Sequence, residues 1–253
     1  MSKKTSNTNV SQHCAWSAAH FTHIGKVRKV NEDSLLANTK QGHWAVADGM
    51  GGHDRGDVAS QAIVEALDLL DKLPEFSPFS EVIGDCLTEV NQQLLQLGSV
   101  SNSVIGSTVA GLVIQQQHVF CYWAGDSRVY RLRDKKLQQL TVDHTLTQQL
   151  VEQGKLNADE ARHHRDRNVV TRAVGAYHSL SLDFKTTPLE PNDWYLVCSD
   201  GIEKEMSDEE VETLLNEHGH DIELAGQQLL DEVLKRGARD NVAFVLIALF
   251  PLT

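Results

Sequence analysis

The chain has 253 residues, of which 41% are hydrophobic, 23% charged and 6% aromatic, an ordinary globular composition with enough length for a sizeable core. Its 23 Lys and Arg face 35 Asp and Glu, a formal charge of −12, which argues against duplex nucleic acid or an anionic membrane as partner, because both require a positive face. The N-terminus MSKKTSNTNVSQH lacks the apolar stretch of a secretory signal, and the longest apolar run, Val242 to Phe250, is far short of the roughly 18 residues of a spanning helix.

In chain order, residues 1–13 read as a polar tail and residues 14–253 as one domain. Residues 14–24 and 43–47 are strand-like, with Asp48 at the end of the second. A glycine-rich loop, GMGGHDRG, leads into a helix in which Val58, Ala59, Ala62, Ile63, Ala66, Leu67 and Leu70 recur at steps of three and four. Pro74 and Pro78 break the pattern. A second helix carries Phe79, Val82, Ile83, Cys86, Leu87, Val90, Leu94 and Leu97 on one face, and Gly98 is its expected stop.

From Ser107 the period changes. STVAGLVI, HVFCYWAG, SRVYRLR and LQQLT read as strands whose short connections, QQQ and DKK, suit hairpins, so an antiparallel meander is expected. Residues 145–165 are polar and helical without a broad apolar stripe, which predicts a surface position. SLDFKT and WYLVCS are further strands, helices follow over 208–217 and 221–236, and NVAFVLIAL is the last strand. No internal repeat breaks this order, which gives an α+β fold. The four cysteines, Cys14, Cys86, Cys121 and Cys198, are scattered without a C-x-x-C pair and read as reduced core thiols of a cytoplasmic protein.

Four aspartates share one local context. Asp48 ends AVAD-G, Asp126 follows YWAG, Asp200 ends VCSD-G, and Asp240 opens NVAFVLIAL. Taken singly, each is most simply a turn cap. Together, at the ends of strands that one sheet system can bring close, they would repel one another unless a cation intervened. Hard divalent ions such as Mg²⁺ or Mn²⁺ favour such an all-oxygen set, whereas zinc would call for His or Cys at ligand spacing.

Eight motifs occur in order: RKVNEDS (28–34), VADGMGGHDRGDVAS (46–60), GSTV (106–109), WAGDSRVYRL (123–132), LTVDHT (140–145), NVVTRAVG (168–175), CSDGI (198–202) and RDNVAFV (239–245). Through them the chain resembles the bacterial branch of the PP2C (PPM) metal-dependent protein serine/threonine phosphatases, from about residue 14 to 249. The resemblance implies an antiparallel β-sandwich flanked by helices on both faces. It also implies a centre of two Mn²⁺ or Mg²⁺ ions with Asp48 bridging, Gly49 offering its carbonyl, and Asp200 and Asp240 as terminal ligands. Glu32 and Asp33 match an outer pair that holds metal-bound waters, and Arg28 an arginine that grips the substrate phosphate. The implied reaction is direct attack of a metal-activated water on phosphoserine or phosphothreonine in proteins, without a phosphoenzyme. The implied partners are phosphoproteins made by a Ser/Thr kinase, with the phosphatase expected to act as a monomer. The CSDGIEKEMSDEE stretch resembles phosphatases encoded near secretion-system kinases.

The chain departs from the family pattern at two places. Eukaryotic relatives often have a His after the bridging Asp-Gly, assigned as general acid; here Met50 stands there, and His53 is a candidate only by proximity. His163 and His164 read as surface residues. In members with a third ion, that ion engages the equivalents of Asp126 and Asp200 and often an Asp four residues after the latter. That position is Lys204, between Glu203 and Glu205, so any third ion is expected to bind weakly.

Other phosphatase and hydrolase chemistries lack their signatures. The residues six after the cysteines are His20, Gln92, Ser127 and Lys204, so no C-x5-R nucleophile exists, and no G-x-S-x-G elbow is present. His53-Asp54 and His220-Asp221 lack the further ligands of an HD-type phosphohydrolase. The remaining alternative is a phosphoprotein-binding pseudophosphatase, whose mark would be a lost metal ligand; Asp48, Asp200 and Asp240 are all retained.

Overall fold

Two antiparallel sheets form the centre of the molecule. The computed structural model describes residues 9–10, 14–51, 55–70, 79–219 and 221–252. One sheet contains β1 (Asn9–Val10), β2 (Cys14–His23), β12 (Val242–Pro251), β11 (Trp194–Cys198), β8 (Arg128–Arg133) and β9 (Lys136–Gln139), in that spatial order. The other runs β10 (Asp183–Pro188), β7 (His118–Ala124), β6 (Val109–Gln115), β4 (His43–Gly51) and β3 (Asp33–Asn38), with β5 (Ile105–Ser107) paired to the end of β4. Their facing sides interlock through Trp16, Trp44, Val46, Leu112, Trp123, Tyr195, Val245 and Ile247.

Helices cover both outer faces, as the resemblance implies. The stripe of α1 (Gly56–Asp68) and α2 (Phe79–Ser101) lays Ile63, Leu67, Ile83, Leu87 and Leu94 on the β3–β7 sheet, against Ala45, Val113 and Tyr122. On the other side α5 (Asp208–Glu217) and α6 (Ile222–Arg236) bring Val211, Leu215, Leu229 and Val233 onto Leu196, Phe244 and Leu246. The result is four layers, helix–sheet–sheet–helix.

Several local expectations change. The strands from Ser107 onward are not one continuous meander. β6 and β7 form a hairpin, as do β8 and β9, but β7 and β8 belong to different sheets. The chain crosses at Gly125–Ser127, because Gly125 takes φ +116° and redirects it. Gly98 does not stop α2: it lies buried inside the helix, and the carbonyl of Ser103 sits where a side chain would go. Strand β3 carried no clear signal in the sequence. Asp48 lies within β4 rather than at its end, at the point where its pairing passes to β5. Most of the expected tail falls outside the described residues, although Asn9–Val10 adds a short edge strand to β2.

Residues 145–165 form α3 (Leu146–Glu152) and α4 (Ala158–His163), largely exposed as expected. Cys14, Cys121 and Cys198 are buried, Cys86 is partly so, and all four are free thiols. Among the described residues no helix is long and apolar enough to cross a membrane.

Candidate metal centre

The carboxylates singled out by the sequence gather at one end of the sandwich, drawn from both sheets. Register pairs Asp33 on β3 with Asp48 on β4. Asp126 arrives on the crossing between the sheets, Asp200 just after β11, and Asp240 just before β12. Asp33, Asp126 and Asp200 are buried, while Asp48 and Asp240 are partly exposed.

Their electrostatics follow from this crowding. Burial, and then the charges of Asp33, Asp200 and Asp126, push the Asp48 carboxyl well above its ordinary range. Burial raises Asp33 to about 7, with Asp200 and Asp240 adding to the rise and a hydrogen bond from Ser199 opposing it. Asp126 also reaches about 7, through burial and then Asp200. Burial lifts Asp200 as well, against the pull of Lys204. Asp240 goes the other way: burial would raise it, but hydrogen bonds and charge from Lys204 and Arg28 together hold it below its usual value.

The backbone around Asp48 is held on every side. Ser107 Oγ donates to the Asp48 carbonyl at 2.9 Å, the Thr108 N–H donates to the same oxygen at 2.9 Å, and the Asp48 N–H donates to Thr108 Oγ1 at 3.2 Å. Thr108 Oγ1 in turn meets Ser127 Oγ at 2.7 Å, tying Asp48 to the loop of Asp126. Both Asp-Gly steps reflect close backbone packing. A Cβ on Gly49 would collide with the Gly56 carbonyl, and one on Gly201 with the Asn241 carbonyl. Glu32 accepts from the Gly56 N–H at 2.9 Å, which sets its carboxylate at the electropositive start of α1.

Ser199 and Asn241 escaped the sequence reading. Ser199 Oγ donates to Asp33 Oδ2 at 2.7 Å. Asn241 accepts from the Glu32 N–H at 2.8 Å and donates to the carbonyls of Ile24 at 2.8 Å and Val30 at 3.0 Å, so one side chain fastens the whole Arg28–Asp33 segment to the start of β12. Their available signal is their place inside CSDGI and RDNVAFV, next to Asp200 and Asp240. Asn241→Ala is expected to leave three partly buried backbone groups short of a partner and to cost about 2 kcal/mol. A thermal melt would show it as a fall of roughly 5–10 °C, and an unchanged melting temperature would refute the fastening role.

Arg28, expected to grip the substrate phosphate, pairs here with a carboxylate of the cluster. Its guanidinium forks onto Asp240, with Nε to Oδ1 at 2.8 Å and Nη2 to Oδ2 at 2.8 Å, while the side chain stays 49% exposed. Lys204 Nζ lies 2.7 Å from Asp240 Oδ2 and also pairs with Asp200 Oδ2. Among the described residues no group of three or more His, Cys, Asp or Glu is already gathered as a ligand set; Asp200 and Asp240 are joined through Lys204 instead. One atom nevertheless calls for a cation: Asp200 Oδ1 is buried with no hydrogen-bond partner. An unsatisfied carboxylate oxygen, in a cluster of oxygen donors that raise one another's pKa, suits a hard divalent ion. His53 lies outside the described residues, His163 is exposed on α4, and the Met50 thioether has no proton to donate.

The family model for protein phosphatase 2C matches residues 22–240. The serine/threonine phosphatase stp of Listeria monocytogenes is 30% identical over 235 residues, 89% of this chain and 93% of that protein. Among solved structures, PppA of Pseudomonas aeruginosa, described as a key regulatory component of T6SS, superposes with a TM-score of 0.84 at 35% identity, covering 93% of this chain and 98% of that one. The catalytic domain of the serine/threonine protein phosphatase PstP, solved with two manganese ions, gives a TM-score of 0.83 at 28% identity over 94% of this chain and all of that one. With its four-layer sandwich, its carboxylates drawn from both sheets to one end and a family match over most of its length, the chain belongs to the protein phosphatase 2C family.

Proposed function

We propose that this protein is a metal-dependent phosphatase that removes phosphate from serine and threonine side chains of other proteins. The observation that carries the reading is the crowded carboxylate cluster with the unpartnered Asp200 Oδ1, in a chain of this family. Asp48 would hold both of two ions, Gly49 would add its carbonyl, and Asp200 and Asp240 would complete the set, with Mn²⁺ the first choice because a relative of the same fold was solved with two manganese ions. When bound, the ions supply an activated water and neutralise charge on the phosphoryl group.

The protein's own residues provide the frame. Glu32 and Asp33 stand beside Asp48 and are held by Gly56, Asn241 and Ser199, which suits them to orient water. Arg28, half exposed at the rim, has the planar fork that phosphate recognition uses, and it reaches a phosphate by leaving Asp240. Arg28→Ala should raise KM for a phosphopeptide roughly tenfold and lower kcat less, because the phosphate is charged before and during the reaction. Steady-state kinetics separates the two, and an unchanged KM would take Arg28 out of the site.

The substrates we propose are products of a Ser/Thr kinase in the cytoplasm, met by a monomeric enzyme that uses no nucleic acid or membrane. The likeness to PppA makes kinase substrates of a secretion system the first to try. The direct test is phosphate release from a phosphothreonine peptide by the purified chain supplied with Mn²⁺. Tight peptide binding with no release would favour the binding-module alternative.

A further inference from the structure

Lys204 is placed by a short helical turn. Its N–H donates to the Asp200 carbonyl at 3.1 Å, so position 204 comes back over position 200. The acidic residues on either side of it are engaged elsewhere. Glu203 pairs with Arg128, which also forks onto Asp143 through Nε at 2.9 Å. Glu205, its side chain only 4% exposed, takes Arg239 at 3.0 Å. The Lys204 ammonium is therefore committed to Asp200 and Asp240, with its side chain three-quarters buried. Burial would lower its pKa, but those two carboxylates outweigh burial and keep it protonated.

Asp200 divides its two oxygens. Oδ2 pairs with Lys204, and Oδ1 has no protein partner. The charge balance of the cluster points the same way. Glu32, Asp33, Asp48, Asp126, Asp200 and Asp240 carry six negative charges when ionised, and Arg28 and Lys204 return two. Two divalent ions close the difference. A carboxylate at position 204 would widen it by two charges, the amount one more divalent ion supplies.

We infer that Lys204 is a tethered cation of the metal centre, whose ammonium, bridging Asp200 and Asp240, takes the place of a further divalent ion and limits the site to two. The inference rests on the metal-dependent reading above. Its position on the metal-facing carboxylates makes Lys204 a positioning residue, and its signature is an ion count rather than a rate.

The full-length chain, stripped and then titrated with Mn²⁺, is counted by calorimetry and by electron paramagnetic resonance of the free ion. Wild type should bind two ions, Lys204→Arg two, and Lys204→Asp three. Lys204→Met covers the case in which the aspartate variant fails to fold. Without Mn²⁺ its melting temperature should fall by roughly 5 °C, since buried Asp200 and partly buried Asp240 lose their shared cation, and Mn²⁺ should restore more of it than in wild type. Three ions in wild type, two in Lys204→Asp, or an unaltered metal-free melt in Lys204→Met would overturn the inference. Wild type that binds no ion would overturn it together with the metal reading. Wild type that binds two ions yet releases no phosphate from a phosphothreonine peptide would overturn only the phosphatase reading, and the count in Lys204→Asp then decides the role of Lys204.

Discussion

Asp48→Asn is expected to lower phosphopeptide turnover by about a thousandfold or more at saturating Mn²⁺, the largest loss from any single substitution in the cluster. A factor of that size corresponds to about 4 kcal/mol of transition-state stabilisation, reasonable for a residue proposed to serve two ions at once. The same change should stabilise the metal-free fold. Asp48 is held by its backbone, through Ser107 and Thr108, and those bonds survive the substitution. Its carboxylate, by contrast, is opposed by burial and by Asp33, Asp200 and Asp126, and an amide removes that opposition. A higher melting temperature without metal, together with lost activity, is the expected pair of results. Turnover near the wild-type level would remove Asp48 from the bridging role.

Chelation should reduce activity to background, and readdition of Mn²⁺ should restore it. The stability of the stripped protein should also depend on pH with a definite sign. Asp33 and Asp126 have folded-state pKa values of about 7, raised from the ordinary carboxylate value of 3.8 by burial first and by neighbouring carboxylates second. A raised carboxyl favours the folded state while protonated, so its contribution is complete below pH 4 and is lost as pH climbs to about 7. Asp240 is shifted downward by Lys204 and Arg28 and stays ionised over that interval, so it does not offset the loss, whereas His43 and His144, both lowered by burial, offset part of it. Metal-free protein should therefore melt lower at pH 7.5 than at pH 5.5, and the rise in melting temperature on adding Mn²⁺ should be larger at pH 7.5. A stripped protein that melts higher at the more alkaline pH would show that the raised carboxyls do not dominate its pH dependence. Full activity in the presence of chelator would refute metal dependence.

The readable features were those written in local pattern. Three- and four-residue spacing marked α1 and α2, and apolar runs with short polar connections marked the hairpins β6–β7 and β8–β9. The aspartates stood out because each adjoins an apolar run in the sequence. What failed had a long-range cause. Strand β3 is short and carries Asp and Ser at its start; it is a strand because β4 pairs with it. Gly98 stays helical because the turn at Ser103 packs on it. The expected meander divides because Gly125 turns the chain from one sheet to the other.

By itself the sequence determined the kinds of element, the α+β class and, through its eight ordered motifs, the family. These depend on periodicity and residue type within a few positions of one another. The tertiary structure alone decided the partners: Asp33 beside Asp48, Asn241 fastening Glu32, Arg28 on Asp240, and Lys204 between Asp200 and Asp240 rather than on Glu203 or Glu205. Arg28 and Asp240 are 212 residues apart, and no local rule ties them. Their meeting follows from β2 pairing along the whole of β12, which brings the segment after His23 to the start of the last strand. Charge and residue type are properties of the sequence, but which charge neutralises which depends on distance, and only the folded sheets set that.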